Sequence, residues 1–357
     1  MNCKTRWLKT MHFEPGHRPP LMPGGPWHTT RKRWEQEGLP VGADLTEYFG
    51  LDSMRMRQLP FSDWFYPPFQ EKVLEETDDW IVKINPRGVK VRNFKDEVSM
   101  PEHLEYPIKG PQDLAWLKQR FDFNTPGRVK PDWLEEARAN QANTLHFINA
   151  GMYFAYLNEH MGTEQLMYAY ADFPEFIRQV NELQCKLTED GLKAVLPHFP
   201  LDLLAYHEDM GYKTASLISP AMFREFMMPY YKRVTKIALA HGIDLGYMDS
   251  DGNIEELIPL WLECGINIFT PLEVAAGMDV VKIRKQYGQQ VRMTGGFDKR
   301  ILAAGKAEIR QEVERLRPVI EGGGFIPGCD HGIPHDVPFA NFCCFVDCLK
   351  VVYGMKT

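Results

Sequence analysis

No block of basic residues stands out anywhere in the 357-residue chain, and Asp and Glu outnumber Lys and Arg by 48 to 41. The net charge of −7 leaves nucleic acid or an anionic membrane surface without an electrostatic footprint to bind. No stretch approaches the 18 uncharged apolar residues that a helix needs to span a bilayer. The N-terminus also lacks the apolar core of a signal peptide, since Lys4, Arg6 and Lys9 run straight into HFEPGHRPPLMPGG. The seven cysteines are odd in number and irregularly spaced, which reads as reduced thiols in a cytoplasmic protein. Nucleotide fingerprints are missing too. No G-x-G-x-x-G opens a helix after a strand, there is no GxxxxGK[ST], and GGPW and EGGGF have the glycines without the spacing. Short-period repeats and low-complexity tracts are absent. With 44% hydrophobic and 12% aromatic residues, the chain is nonetheless well supplied for a buried core, so a disordered chain is excluded.

Its organisation changes near residue 144. Upstream, HRPPLMPGGPW (17–27) reads as loop, because four prolines remove donors and fix φ. Thr29 and Thr30 are expected to cap a short helix, RKRWEQEG, stopped by Gly38. Residues 78–98 look like a β-hairpin around NPRG, and PEHLEYPIKGPQDLAWLKQRF reads as loop followed by helix. Downstream, short apolar runs alternate with helical segments. The runs are TLHFINAGM, DLLAYH, IDLGYMDSD, INIFTPLE, QVRMTGG and GGFIPGC, and the helical segments include 219–242, 252–265 and 307–322. Such alternation calls for a parallel sheet covered by helices. Six strands here, with room for two more upstream, predict an α/β fold of the (β/α)8 TIM-barrel kind, a ring of roughly 250 residues. The whole of 1–357 is then one barrel domain, with 1–75 an N-terminal elaboration packed on it.

In such a barrel the C-terminal strand ends face the active-site mouth. Here they carry His207-Glu208-Asp209, Asp249-x-Asp251-Gly-Asn253, Glu273, Gly295-Gly296 with Asp298, and Cys329-Asp330-His331. Five consecutive strands thus end on polar, mostly ligand-capable groups, more than a structural barrel needs. Each member also has a plain structural role open to it. Asp249 and Asn253 suit helix N-caps, Cys329 suits a small buried hydrophobe, and His331 could simply donate to a carbonyl. His207 and Glu208 could pair with Lys213 or a helix end. Cys344 and Cys348 lie on an apolar helical stretch and read as core.

Four blocks carry a resemblance that spans nearly the whole chain: FEPGHRPPLMPGG; ISPAMFREFMMPYYKRVTKIALAHGIDLGYMDSDGN; PLEVAAGMDVVKIRKQYGQQVRMTGGFDKRIL; and GGGFIPGCDHGIPHDVPFANF. In these the chain resembles the uroporphyrinogen decarboxylase superfamily, whose fold is a (β/α)8 barrel. The decarboxylases of that superfamily carry an RQAGR-like motif for a tetrapyrrole's carboxylate arms. Here His17-Arg18-Pro19-Pro20 stands near that place with Arg18 as its only basic group, which weakens bidentate recognition of an octacarboxylate. The resemblance therefore points to the other branch, the corrinoid-dependent methyltransferases.

In that branch zinc is held by an H-x-C-G-N-like strand end, a glutamate one strand on, and a late cysteine. This sequence has Asp249-Ser-Asp251-Gly-Asn253, then Glu273, 22 positions after Asp251, then Cys329. The implied ligands are Asp249, Asp251, Glu273 and Cys329, with His331 in reserve. A carboxylate-rich site suits an oxygen donor better than a thiol. The resemblance thus implies an O-demethylase-type enzyme. Zn2+ would bind the ether oxygen of a methoxylated substrate, aromatic or otherwise, and the methyl group would pass to the Co(I) of a corrinoid (cobalamin) protein supplied as a partner. This chain has no D-x-H-x-x-G corrinoid motif of its own. Asp251, His331 and Glu208 are the implied catalytic groups, and Arg18 and His207 the implied substrate contacts. Neither a nucleic-acid nor a membrane partner is expected, and pairing as a homodimer stays open. Two alternatives remain at this point: a metal-free decarboxylase of a carboxylated ring using Asp251, His331 and Arg18, and a non-catalytic barrel binding a corrinoid or tetrapyrrole.

Overall fold

The computed structural model describes residues 1–95 and 100–356. Eleven strands are formed among them: β1 (Arg55–Gln58), β2 (Lys72–Glu76), β3 (Trp80–Ile84), β4 (Lys90–Phe94), β5 (Glu102–Glu105), β6 (Thr144–Asn149), β7 (Leu203–His207), β8 (Gly246–Asp249), β9 (Ile268–Thr270), β10 (Arg292–Phe297) and β11 (Phe325–Cys329). β1 and β6 to β11 make one seven-stranded sheet in the order β1-β6-β7-β8-β9-β10-β11, every pairing parallel. The six apolar runs of the sequence are its last six strands.

Pleating sorts these strands into two layers. Leu145, Leu203, Leu245, Ile268 and Ile326, one from or beside each of five strands, meet in a single cluster with Trp7 and Met11 of the N-terminal helix Cys3–Met11. That cluster fills the inside of the curled sheet and shuts its N-terminal end. Residues of the opposite phase (Ile148, Leu204, Met248, Phe269, Met293 and Phe325) pack in the larger core beneath the helices. Strands β6 to β11 are therefore covered on both faces, as parallel strands require, whereas β1 at the edge is exposed over Arg55 and Met56.

An eighth paired strand is not formed among the described residues, so the expected (β/α)8 ring is seen as seven strands. The proline-rich segment 21–27 runs along the free edge of β11. Pro23 O accepts the Cys329 N–H at 2.9 Å, Gly25 O accepts the Ile333 N–H at 2.9 Å, and the Trp27 N–H donates to Ile333 O at 3.1 Å. Leu21 O also accepts the Asp52 N–H at 3.0 Å, three residues before β1. Prolines 19, 20, 23 and 26 have no N–H to give, so the segment can accept bonds from β11 without extending a ladder.

The hairpin expected over 78–98 exists as β3 and β4, with its last positions outside the described residues. It belongs to an antiparallel sheet β2-β3-β4-β5, and β5 occupies part of what the sequence read as loop. The early helix runs His28–Gln36 with Trp27 at its N-cap. Thr29 and Thr30 are thus inside it rather than capping it, and the Thr30 hydroxyl donates to Ile333 O at 2.8 Å, which draws it to the wall of the sheet. The segment 219–242 is two helices, Pro220–Phe226 and Met228–Ala240, because the second begins afresh before Pro229.

Candidate active site

At the C-terminal end of the sheet the polar strand ends form a continuous row. His207 closes β7 and lies between two carboxylates, with Nε2 at 3.4 Å from Asp209 Oδ2 and Nδ1 at 3.4 Å from Asp249 Oδ2. Hydrogen bonds to Asp209 and then Asp249 push its pKa up to about 11, against the opposing effect of burial, so it is a standing positive charge. The other Asp209 oxygen accepts the Asp251 N–H at 3.2 Å, which joins the end of β7 to the loop after β8. The Asp251 Oδ1 lies 3.2 Å from His331 Nε2. His331 Nδ1 in turn is 3.2 Å from Lys299 Nζ, and that ammonium stands 3.8 Å from Glu273 Oε1. The bond to Asp251 raises the His331 pKa above the ordinary imidazole value, with burial and Lys299 acting the other way.

Backbone conformation sets this row. Gly252 has φ +79°, and a Cβ there would meet the Gly211 carbonyl carbon at 2.5 Å. Only glycine lets the loop press that close, and in doing so its N–H reaches Glu273 Oε2 at 3.1 Å. Asn253 closes the same loop as a structural residue, accepting from Glu255 N at 3.1 Å and donating to Ala276 O at 2.9 Å.

Glu208 lies behind the row with no solvent exposure. It accepts the N–H groups of Tyr153 at 2.5 Å, Phe154 at 2.9 Å and Ala155 at 2.9 Å, and the Tyr231 hydroxyl at 2.5 Å. Burial pushes its pKa up to about 7 even though all four donors favour the charge. This carboxylate ties β7 to the start of the helix Ala155–Met161.

Comparison with known proteins bears on this arrangement at one place. Residues 203–352, from β7 through the C-terminal helix, match the family model described as Uroporphyrinogen decarboxylase (URO-D). Every member of the charged row lies within the matched residues. Among solved structures, a methyltransferase from Methanosarcina mazei aligns over 99% of both chains with a TM-score of 0.57 and 16% identity, a likeness of fold. A B12-independent methionine synthase from Shewanella sp. W3-18-1, in complex with selenomethionine, aligns over 80% of this chain and 74% of its own at 8% identity and a TM-score of 0.36. No curated protein matches.

Of the expected site residues, the structure brings His207, Asp249, Asp251, Glu273 and His331 to one mouth. Cys329 lies buried behind them. It belongs with Phe325 and Phe297 to the core, its Sγ is 4.0 Å from Asp330 Oδ1, and burial pushes its thiol pKa up to about 12. Asp330 also accepts the Val274 N–H at 3.1 Å. Arg18 lies at the other end of the sheet. It is ion-paired with Asp52, just before β1, and lines a cavity of about 600 Å3 with Gly322 and Gly323, just before β11.

These residues do not fit a resident metal. Among the described residues, no three His, Cys, Asp or Glu side chains are grouped to hold one. The thiol is buried against Asp330, Sγ 4.0 Å from Oδ1, and an ammonium stands between Glu273 and His331. Lys299 escaped the sequence reading because Asp298, one residue earlier, looked like the functional strand end. Asp298 in fact caps the helix Lys299–Ala304 and pairs with Arg300. The available signal was that a lysine following a barrel strand end faces the same mouth as the acids.

Proposed function

We propose that this protein is a methyltransferase that moves a methyl group from a methoxylated substrate, aromatic or otherwise, to the Co(I) of a separate corrinoid protein. The observation that carries this reading is the Asp251–His331 pair at the mouth, with Nε2 3.2 Å from Oδ1 and the imidazole pKa raised. An ether gives up its methyl group slowly because an alkoxide or phenolate is a poor leaving group. In this reading His331 delivers a proton to that oxygen as the C–O bond breaks. The electron pair of the C–O bond stays on the oxygen, and the pair on Co(I) forms the new Co–C bond, giving methyl-Co(III) and the demethylated alcohol or phenol. Asp251 holds His331 and favours its protonated form. His207 keeps Asp209 and Asp249 together beside Asp251, and Glu208 positions that strand end from behind.

A carboxylate-rich ring substrate fits less well. The mouth presents Asp209, Asp249, Asp251 and Glu273 against His207, Lys299 and His331, and Arg18, the remaining candidate anchor, lies at the other end of the sheet. Like charges facing a polycarboxylate raise the cost of its binding.

The test incubates the purified protein with cob(I)alamin and a panel of methoxybenzenes and follows methyl-Co(III) absorbance and phenol release. Transfer that persists in EDTA and falls in His331→Asn supports the proposal. Transfer abolished by EDTA and restored by Zn2+ would return the ion to the mechanism, and CO2 release from a carboxylated ring without methyl transfer would favour decarboxylation.

A further inference from the structure

The C-terminal helix Phe339–Val352 carries three cysteines. Cys344 is buried and belongs to the core, whereas Cys343 and Cys348 are half-buried. The sequence reading of Cys344 and Cys348 as core thus holds for the first of them alone. All three thiols line a cavity of about 470 Å3 between this helix and the helix Lys306–Glu321, with Lys306, Arg310 and Asp347 around them. Residues four apart stand one turn above the other on the same helix face. That brings the Cys344 and Cys348 sulfurs to 4.0 Å from each other, and the Cys344 Sγ lies 3.9 Å from Lys306 O.

We propose that Cys344 and Cys348 form a binding site for a soft metal ion of low coordination number, of the Cu(I) kind, held between two thiolates. The proposal is independent of the methyl-transfer reading, because the pair sits in the helical layer and not among the strand ends.

Spacing, donor type and donor number agree on this ion. Two bonds of about 2.3 Å, an ordinary metal–thiolate length, span sulfurs 4.0 Å apart through one bent S–M–S unit. A pair of sulfur donors selects soft ions, Cu(I) among them, over the hard ions that carboxylates and water hold. A structural zinc site takes four donors, and among the described residues no three His, Cys, Asp or Glu side chains are grouped to hold a metal. The pair therefore suits an ion content with two. Two thiolates around a monovalent ion leave one negative charge, and Lys306 and Arg310 line the cavity to offset it. Both thiols release their protons as the ion enters. Neither sulfur nor metal changes oxidation state, so no oxidant or reductant is needed.

The test titrates the reduced full-length protein, without oxygen, against the coloured Cu(I)–bicinchoninate complex. The wild type should withdraw one equivalent of Cu(I) from the chelator. Cys344→Ser and Cys348→Ser should withdraw none, while Cys3→Ser and Cys343→Ser should match the wild type. Circular dichroism checks that each variant is folded. X-ray absorption at the copper edge of the loaded wild type reads the site without any substitution and should show a sulfur shell free of imidazole nitrogen. A wild type that withdraws no Cu(I), an equivalent that survives both Cys344→Ser and Cys348→Ser, or nitrogen in the copper shell would each overturn the proposal. So would one equivalent of Zn2+ bound by the wild type at micromolar concentration and lost in Cys348→Ser, because it would show a complete set of donors at the pair.

Discussion

Cys329 and Asp330, adjacent in sequence, are partners in the fold, with the thiol Sγ 4.0 Å from Asp330 Oδ1. Cys329 packs with Phe325 in the buried core, and Asp330 also accepts the backbone N–H groups of Val274 and Lys299. The thiol thus bonds to Asp330, where the sequence suggested Asp249, Asp251 and Glu273 as its companions.

Cys329→Ala should therefore lose about 1 kcal/mol of stability from the buried side chain and keep methyl-transfer activity within a few-fold of wild type. Thermal unfolding and kcat on the same preparation check both. A loss of activity with unchanged stability would put the thiol back into the mechanism.

His207 gives stability a pH dependence. Its pKa is near 6.5 in the unfolded chain and is pushed up to about 11 by Asp209 and Asp249. The folded state therefore holds the proton more tightly. The stabilisation is complete below about pH 6.5 and fades as pH climbs through about 11. In His207→Gln the Tm deficit relative to wild type should shrink steadily between pH 7 and pH 11. A deficit constant across that range would show that the imidazolium makes no such contribution.

Glu208→Ala leaves three backbone N–H groups and the Tyr231 hydroxyl without their buried acceptor, at a cost of about 3 kcal/mol or more. Urea unfolding should show the loss. Glu208→Gln keeps the volume but turns an N–H2 toward donors, so it should also be destabilised, by less than the alanine variant.

Arg18→Ala should leave KM and kcat unchanged, because Arg18 is paired with Asp52 at the opposite end of the sheet from the mouth. Burial pushes the Asp52 carboxyl up, but the hydrogen bonds from Arg18 and the Leu21 N–H outweigh it and hold the pKa below the ordinary value. A depressed carboxyl stabilises the fold above its unfolded pKa of about 3.9 and loses that contribution as pH falls. The variant is therefore expected to lose about 1 kcal/mol at neutral pH. Its deficit should diminish below about pH 4.

Asp251→Asn removes the carboxylate that raises the His331 pKa, while Lys299 and Glu273 still face the ring. The imidazole should then lose its proton at lower pH. The limb of the rate profile that needs this acid should shift toward acidic pH, with a fall in kcat larger than any change in KM.

Much of the fold was legible in local pattern. Six parallel strands stood out as apolar runs because strands buried on both faces need apolar side chains in both phases. The polar residues ending those runs marked the mouth, since a polar group at a strand terminus has left the packed layers. Lys299 was hidden by the acid before it, which the fold uses as a helix cap. The wall segment at 21–27 was hidden by its prolines, which read as loop and are loop, yet lie along β11.

Alone, the sequence determined a helix-covered parallel sheet and the set of charged groups at its open end, because hydrophobic periodicity and strand-end chemistry are properties of contiguous residues. Only the tertiary structure decided that the Cys329 thiol is buried against Asp330, that Arg18 sits at the far end, and that Lys299 stands between Glu273 and His331. Each of those facts depends on pleat phase and on the meeting of segments far apart in the chain, and neither is encoded in any one stretch of it.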